Sequence, residues 1–186
     1  MSKKDQHGRT PAAGNQRLYE LEVSILSGPV TDEFAEANPV VSRTIQIRGD
    51  QTLAKLHEAI FDAFNRDDEH MYEFQVGGKR PMDPKARRYV LPMDNDPFDD
   101  QKPAGMVTRT TIDALGLKKG QAFGYWFDFG DDWWHTISVV AIHEGPDSGK
   151  YPCVTARTGE SPPQYPDWDD EDEDDEDDDG EYSDEE

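Results

Sequence analysis

The chain has 186 residues, of which 34% are hydrophobic and 32% are charged, and its formal net charge is −22. This length is enough for one domain with a hydrophobic core. Most of the negative charge lies at the carboxyl end, where 16 of the 20 residues from 167 to 186 are Asp or Glu. The single cysteine, Cys153, excludes an intrachain disulfide and a four-cysteine zinc site within one chain.

Residues 1–17 are polar and lack hydrophobic periodicity, so we predict a disordered amino-terminal arm. Apolar and polar residues then alternate over 18–26 and again over 40–47, which predicts two antiparallel strands joined by a loop. The period changes after Thr52, a residue suited to a helix N-cap. Apolar residues at helical spacing predict the principal helix and its buried face: Leu53, Leu56, Ile60, Ala63 and Phe64.

The remaining elements are predicted with less regular patterns. Residues 71–76 predict a third strand, whereas 77–107 has no period and predicts a surface excursion. A short helix ending at Gly120 and a hairpin over 122–142 follow. Beyond His143 the sequence predicts an irregular Pro-rich segment. The predicted fold over 18–165 is α+β: a mixed, mainly antiparallel sheet, one principal helix packed on it, and an aromatic-rich C-terminal hairpin.

The hairpin sequence GYWFDFGDDWWH leaves two loop lengths open. A two-residue loop, with a positive φ at Gly130, brings four side chains to one face: Trp126, Asp128, Trp133 and His135. A three-residue loop instead leaves Asp128 on the face opposite His135, because a shift of one residue exchanges the faces of a strand. We expect the aromatic rings to make the hairpin mainly structural, with Asp128 and Asp131 accepting backbone hydrogen bonds at the turn.

Four motifs occur in order along the chain: QTLAKLHEAIFDAF at 51–64, HMYEF at 70–74, WFDFGDDWWHTISV at 126–139 and YPCVTARTGESPP at 151–163. On these motifs the chain resembles the plasmid pRiA4b ORF-3-like family, over about Leu18 to Pro163. The resemblance implies a mixed α+β fold in microbial proteins, mostly of unassigned function and some of them associated with mobile elements. The chain departs from the family pattern where it continues from Pro-Pro into an acidic tail rather than into further helices.

The family motifs mark a candidate pocket on this sequence. Its polar members are His57, His70, Asp128, Asp131 and His135, and the hairpin tryptophans Trp126 and Trp133 complete it. Imidazoles and carboxylates suit Zn, Mn or Fe, so the cofactor that this set could hold is a divalent transition metal on His57, His70, Asp128 and His135. No paired spacing such as H-E-x-x-H occurs. A metal site therefore requires the helix, the third strand and the hairpin to converge, and catalytic residues stay unassigned.

Two charged segments suggest partners. Residues 77–89 hold the one basic cluster of the sequence, which could meet phosphates or receive the acidic tail. The tail, 166–186, is predicted to be disordered and to bind a protein partner with a basic surface. The strongly negative whole-chain charge disfavours direct binding to nucleic acid.

Two classes of function remain open. The leading prediction is a non-enzymatic interaction module, an accessory protein that uses the aromatic face or the acidic tail. The alternative is a metal-dependent hydrolase or nuclease that uses the His/Asp cluster. A cytoplasmic location is expected for either, because the chain has one cysteine and no apolar run of the ~20 residues that a membrane helix needs.

Overall fold

The computed structural model describes residues 17–80, 82–92, 102–145 and 148–166. The predicted arm 1–17 and tail 166–186 fall outside these ranges, apart from Arg17, which belongs to the first strand, and Pro166. All seven side chains of the candidate pocket lie inside them. No helix in the described ranges is long and apolar enough to cross a membrane.

The described residues form one mixed, mostly antiparallel sheet with few helices. The strands are β1 Arg17–Ser27, β2 Ser42–Arg48, β3 Tyr72–Val76, β4 Arg87–Val90, β5 Gly105–Met106, β6 Ala122–Phe127, β7 Trp133–Glu144 and β8 Cys153–Thr158. The helices are α1 Asp32–Ala37, α2 Leu53–Ala63 and a 3-10 turn, Asp113–Leu115. Among the described residues the strand order is β5-β4-β3-β6-β7-β1-β2-β8, and only the β4–β5 pair is parallel.

The sheet has one face covered by α2 and one open face. On β1, Leu21 and Val23 are fully buried toward the helix, whereas Glu22 between them is exposed. Leu21 lies opposite Ile45 of β2 in the antiparallel register, so the apolar sides of both strands meet the same core. The antiparallel pairing predicted for the first two strands is confirmed. Strand alternation therefore determines which side chains can meet the helix and which meet solvent.

Helix α2 is fixed at both ends. The Thr52 hydroxyl accepts a hydrogen bond from the Lys55 backbone N–H at 3.4 Å, which confirms the predicted N-cap. All five residues of the predicted apolar face are buried. At the other end, the buried Arg43 donates from Nε to the Ala63 carbonyl at 3.0 Å, and Arg157 donates to the same oxygen. Two cations at the negative end of the helix dipole satisfy a carbonyl that the helix leaves unpaired.

Several sequence predictions were wrong about short elements. The excursion 77–107 contains β4 and β5, and the segment after His143 contains β8. Residues 32–37 form a helix instead of a loop, and the predicted helix over 110–120 is a 3-10 turn that ends at Gly116 with a φ of 66°. These elements are two to six residues long. Hydrogen bonds to neighbouring strands stabilise such pieces more than their own hydrophobic period does.

Candidate functional site

The β6–β7 hairpin adopts neither of the two loops considered from the sequence. Phe127 lies opposite Trp133, Trp126 opposite Trp134, and Tyr125 opposite His135. Five residues, 128–132, therefore connect the last paired positions. Tyr125, Trp133 and His135 face the helix, whereas Trp126 faces the open side of the sheet. The candidate pocket is thus divided between two faces, as the three-residue loop also implied, although the pairing differs from that of either loop.

The turn is made by aspartates and not by Gly130. Asp128 and Asp132 both have a φ of 55°, and the Asp132 N–H donates to the Asp128 carbonyl at 2.8 Å. The buried Asp128 carboxylate accepts from the backbone N–H groups of Gly130 and Asp131 at 3.1 and 3.3 Å. Aspartate tolerates the left-handed region because its side chain can bond to the local backbone. Asp128 therefore has the predicted turn-capping role, while Asp131 donates to the cap from its backbone.

His57 is held inside the core by three partners. Its Nδ1 lies 2.7 Å from the Tyr125 hydroxyl, and its Nε2 lies 3.1 Å from the Glu69 carboxylate. Its ring stacks on Tyr72 with centroids 3.6 Å apart. Burial lowers the pKa of His57, and the hydrogen bond that the Glu69 carboxylate accepts from the imidazole opposes that decrease. In the neutral form Nε2–H donates to Glu69, so Nδ1 accepts from the Tyr125 hydroxyl.

His135 lies deeper in the same core, beside Arg66 and Trp133. Burial, followed by the charge of Arg66, lowers the pKa of His135 to about 3. The backbone of Tyr125 and Trp133 opposes this decrease only partly, and neither ring nitrogen makes a hydrogen bond of normal geometry with the described residues. His135 is therefore a neutral ring packed between Phe64 and Tyr125, with centroids 5.3 and 5.1 Å away.

Arg66 is a buried cation stacked on an indole. Its Cζ lies 3.6 Å from the centroid of the Trp133 ring, and burial lowers its pKa to about 10. The Nη atoms of Arg66 and Nε1 of Trp133 have no hydrogen-bond partner among the described residues. We call the five buried side chains of this region the interior polar cluster: His57, Arg66, Tyr125, Trp133 and His135.

His70 stands apart from the interior polar cluster, at the protein surface. Its Nε2 lies 2.8 Å from the Tyr165 hydroxyl and 3.4 Å from the Asp128 carboxylate. The aromatic ring of Phe127 lies between His70 and His57, with centroids 6.1 and 6.2 Å from them. Within the ranges that the structure describes, no three His, Cys, Asp or Glu side chains converge into a group that could hold a metal ion.

The open face carries a second set of rings, which we call the aromatic ladder. Trp126 stacks on Trp134 with centroids 4.6 Å apart and packs against Phe129 at 4.1 Å. The Trp126 indole donates to the Asp132 carboxylate at 3.0 Å, which fixes its orientation. Trp134 and Trp133 are neighbours in sequence, yet their rings lie on opposite faces.

A cavity of about 280 Å³ continues from the aromatic ladder along the open face, and we call it the open-face groove. Seven of the residues that line it are Leu26, Gln75, Lys79, Arg80, Gly124, Trp134 and Thr136. No Asp or Glu is among the described residues that line it. A Cβ added at Gly124 would come no closer than 3.6 Å to Gln75, so the floor of the groove has room for a side chain. The groove therefore combines an apolar floor with a cationic rim.

Lys79 and Arg80 belong to a larger basic region. Strand β3 ends at Val76. Because Gln75 pairs with Gly124, this end of β3 lies beside the beginning of β6, and because Val76 pairs with Arg87, it also lies beside the beginning of β4. Six cations therefore gather at this end of the sheet, and we call them the basic end: Lys79, Arg80, Lys85, Arg87, Lys118 and Lys119. One of them, Arg87, donates to the Leu115 carbonyl at 3.4 Å on the helix side of the sheet. Arg88 is not available to this set, since it forms two contacts of 2.8 and 2.9 Å with the buried Glu73.

Sequence reasoning missed several residues of both regions. Arg66 and Glu69 follow the principal helix in a stretch, NRDDEH, that has no recognisable motif. Gly124 and Thr136 were read as ordinary strand positions, although they lie on the floor of the groove. The basic cluster around Lys79 and the motif residue Trp126 were the signals in the sequence that pointed to the open face.

Comparisons with known proteins place the chain among proteins without an assigned activity. It is 24% identical over 147 residues to the uncharacterized protein y4hQ of Sinorhizobium fredii, which covers 77% of this chain and 67% of y4hQ. Its fold matches the crystal structure of MM3350, a protein of unknown function from Methanosarcina mazei Go1, with a TM-score of 0.60 and 22% identity. That match covers 81% of this chain and 74% of MM3350.

The comparison with family models agrees with the motifs. The model of the plasmid pRiA4b ORF-3-like protein family matches residues 31–167, from the loop before α1 to the end of the described residues. The matched range contains α2, β3, the hairpin and β8, the elements that carry the four motifs. The chain therefore belongs to the plasmid pRiA4b ORF-3-like protein family.

Proposed function

We propose that this chain is a non-enzymatic interaction module that binds an acidic peptide segment bearing an aromatic ring. The observation that carries the proposal is the open-face groove: an accessible cavity with a tryptophan in its wall and Lys79 and Arg80 on its rim. Concave sites with an apolar lining and a few polar anchors are the usual form of binding pockets. A cationic rim selects ligands that carry carboxylates.

The shape of the open face favours an extended segment over a small anion. The aromatic ladder and the groove adjoin at Trp134, which belongs to both. From Phe127 to Gly124 strand β6 covers roughly 10 Å at ~3.3 Å per residue, the length of about three extended residues, and the ring of Phe129 lies beyond it at the turn. Asp131 and Asp132 lie at the ladder end of this path and the basic end lies at the other. The favoured ligand therefore has its ring at the first end and its carboxylates at the second.

The interior polar cluster supports a structural role more than a catalytic one. Its side chains are buried, His135 is neutral, and His57 is engaged by Tyr125 and Glu69. The alternative function, a metal-dependent hydrolase or nuclease, requires ligands that the folded chain holds on different sides of Phe127. We further propose that the module acts in the cytoplasm as an accessory protein, which fits its single cysteine.

The test is a binding titration on the full chain. The probe is a synthetic peptide with one terminal tyrosine next to a run of Asp and Glu and with a fluorescent label, and its binding is followed by fluorescence anisotropy at low and high salt. We expect saturable binding that weakens with salt, because exposed charges are screened. A peptide with Lys in place of every acidic residue is the matched control and should not bind.

Two variants locate the site. Lys79→Glu combined with Arg80→Glu should weaken probe binding about tenfold or more, which corresponds to ~1.4 kcal/mol. Gly124→Val should block the floor without charge change, since a β-branched residue suits a strand and its Cβ makes only ordinary contacts. Unchanged affinity in both variants would reject the groove. Tighter binding of single-stranded DNA than of the acidic probe would reject the peptide assignment.

A further inference from the structure

The chain itself contains a segment whose charge is complementary to the open-face groove. The groove and the basic end present cations to solvent, while the body of the protein continues at Pro166 into a segment with 16 acidic residues. We propose that residues 167–186 dock in cis along the open face and cover the groove. This inference rests on the proposed function, and it adds that the module regulates access to its own binding site.

Charge complementarity is the first argument. Lys79, Arg80 and Lys85 are exposed at the basic end. The nearby carboxylate of Asp83 is already engaged by the backbone N–H groups of Lys79 and Lys85 at 2.9 Å each. The acidic segment is the largest concentration of opposite charge in the sequence. Tethering brings it to the cations at high effective concentration, whatever the concentration of external partners.

The length of the acidic segment also supports docking, because the segment can span the distance from Pro166 to the basic end. Gln164 accepts from the backbone N–H groups of Asp67 and Asp68, and Tyr165 contacts His70, so the chain leaves the body next to the beginning of β3. The basic end follows β3, roughly 25 Å away at ~3.3 Å per residue. Twenty residues at random-coil dimensions have a root-mean-square span of roughly 25 Å, and like charges would lengthen it. The span of the tail therefore matches the distance that it has to cover.

The order of residues is the third argument. The second residue of the segment is Trp168, and its uninterrupted acidic run, 169–179, comes directly afterwards. The open face presents its features in the same order from that starting point, first the aromatic ladder near the 128–132 turn and then the basic end. A segment running in this direction would bring its ring to the ladder and its carboxylates to the cations. The same acidic run would be released when a more basic partner competes for it.

The experiment uses paramagnetic broadening in the full chain. A spin label is placed on Gly180→Cys in a Cys153→Ser background, and the backbone amide signals are recorded at low and high salt. We expect amides of Lys79, Gly124 and Thr136 to broaden at low salt and to recover at high salt. Substituting every acidic residue of 169–179 by its amide keeps the length of the tail and should remove the broadening. No broadening at these amides, or broadening elsewhere only, would overturn the proposal.

Two further measurements separate the outcomes. Mixing isotope-labelled chain without a spin label with spin-labelled chain without isotopes reports contacts between copies; broadening only in this mixture would overturn docking in cis. The acidic probe peptide should bind the amide-substituted tail variant about tenfold or more tightly than the parent. If the probe binds the parent and the amide-substituted variant equally and the spin-labelled chain shows no broadening, docking of the tail is rejected and the groove stands as the ligand site. If the probe binds neither protein and salt-sensitive broadening is present, the external acidic ligand is rejected and docking of the tail stands.

Discussion

One hairpin gives the molecule two unlike surfaces, and the contrast between them assigns their roles. Toward the helix, Trp133 and His135 are buried with Arg66 and Tyr125 in contacts that leave no access for solvent. Toward the open side, the next residues along the strand, Trp134 and Thr136, line a groove. The polar residues that attract attention in the sequence are thus the enclosed ones. Trp134 is itself only 8% exposed, so the cavity beside it and the exposed cations Lys79 and Arg80 distinguish the proposed binding surface from the core.

The first prediction compares the packing of the two faces. Ile60→Ala should lower the free energy of unfolding by about 2–5 kcal/mol, because Ile60 is 2% exposed in the core and its loss leaves a cavity. Val140→Ala on the open face, at 41% exposure, should cost at most about 1 kcal/mol. Urea denaturation of both variants measures the difference. Equal midpoints would mean that α2 does not cover the face that we assign to it.

A pair of glycines sharpens the comparison. A Cβ on Gly28 would lie 2.3 Å from the Trp133 ring, so Gly28→Ala must displace a buried indole that also stacks on Arg66. We expect a loss of about 1–3 kcal/mol, as for other overpacked cores. Gly124→Ala, which meets only ordinary contacts, should leave stability unchanged or higher. Thermal denaturation of the pair checks this, and the reverse order would show that the open face is the more closely packed.

Two tyrosines test whether the interior polar cluster stabilises the fold through specific hydrogen bonds. Tyr125→Phe removes the hydroxyl that bonds to His57 at 2.7 Å and should cost about 1–3 kcal/mol, because a buried nitrogen loses its partner. Tyr72→Phe keeps the ring that stacks on His57 and should change stability by less than ~0.5 kcal/mol. A chemical denaturation series separates the two. Similar small costs would indicate that the hydrogen bond contributes little.

The predicted effect that is smallest near neutral pH is a change in pH dependence. The pKa of His135 falls to about 3 on folding from its usual 6.5, so the unfolded chain binds the proton more tightly. The native state therefore loses about 1.4 kcal/mol per pH unit as the pH drops below 6.5 toward 3, and it loses nothing above 6.5. His135→Leu should remove the contribution of His135 to this slope. His57, whose pKa burial also lowers, should still contribute to the pH dependence of stability. Parallel stability curves for parent and variant would contradict a buried neutral His135.

Much of the fold was predictable because its long elements have clear periods. The alternation of β1 and β2 and the helical spacing of α2 specify both the elements and the face that they bury. Strands β4, β5 and β8 were not predictable, since they are short and include charged residues such as Arg88 that pair with other strands. Their structure depends on neighbours that are distant in sequence.

The candidate site was predictable only as a set of residues. The motifs led to His57, Asp128 and His135, and all three lie within or beside the interior polar cluster. Their arrangement depends on the five-residue turn, in which two aspartates take the positive φ that was expected of Gly130. Hydrogen bonds to the Asp128 side chain stabilise this turn, and neither the composition nor the residue spacing reveals them. The register then decides which face each hairpin residue reaches.

The most direct test of the central claim follows the indole N–H signals of two adjacent residues. Trp134 lines the open-face groove, and Trp133 lies on the opposite face against Arg66. Titrating the full chain with the acidic probe peptide should shift the Trp134 indole signal and leave that of Trp133 in place. Titration with Zn²⁺ should shift neither signal stoichiometrically. A Trp133 signal that moves with either ligand while the Trp134 signal stays fixed would contradict the account and place the functional site in the interior polar cluster.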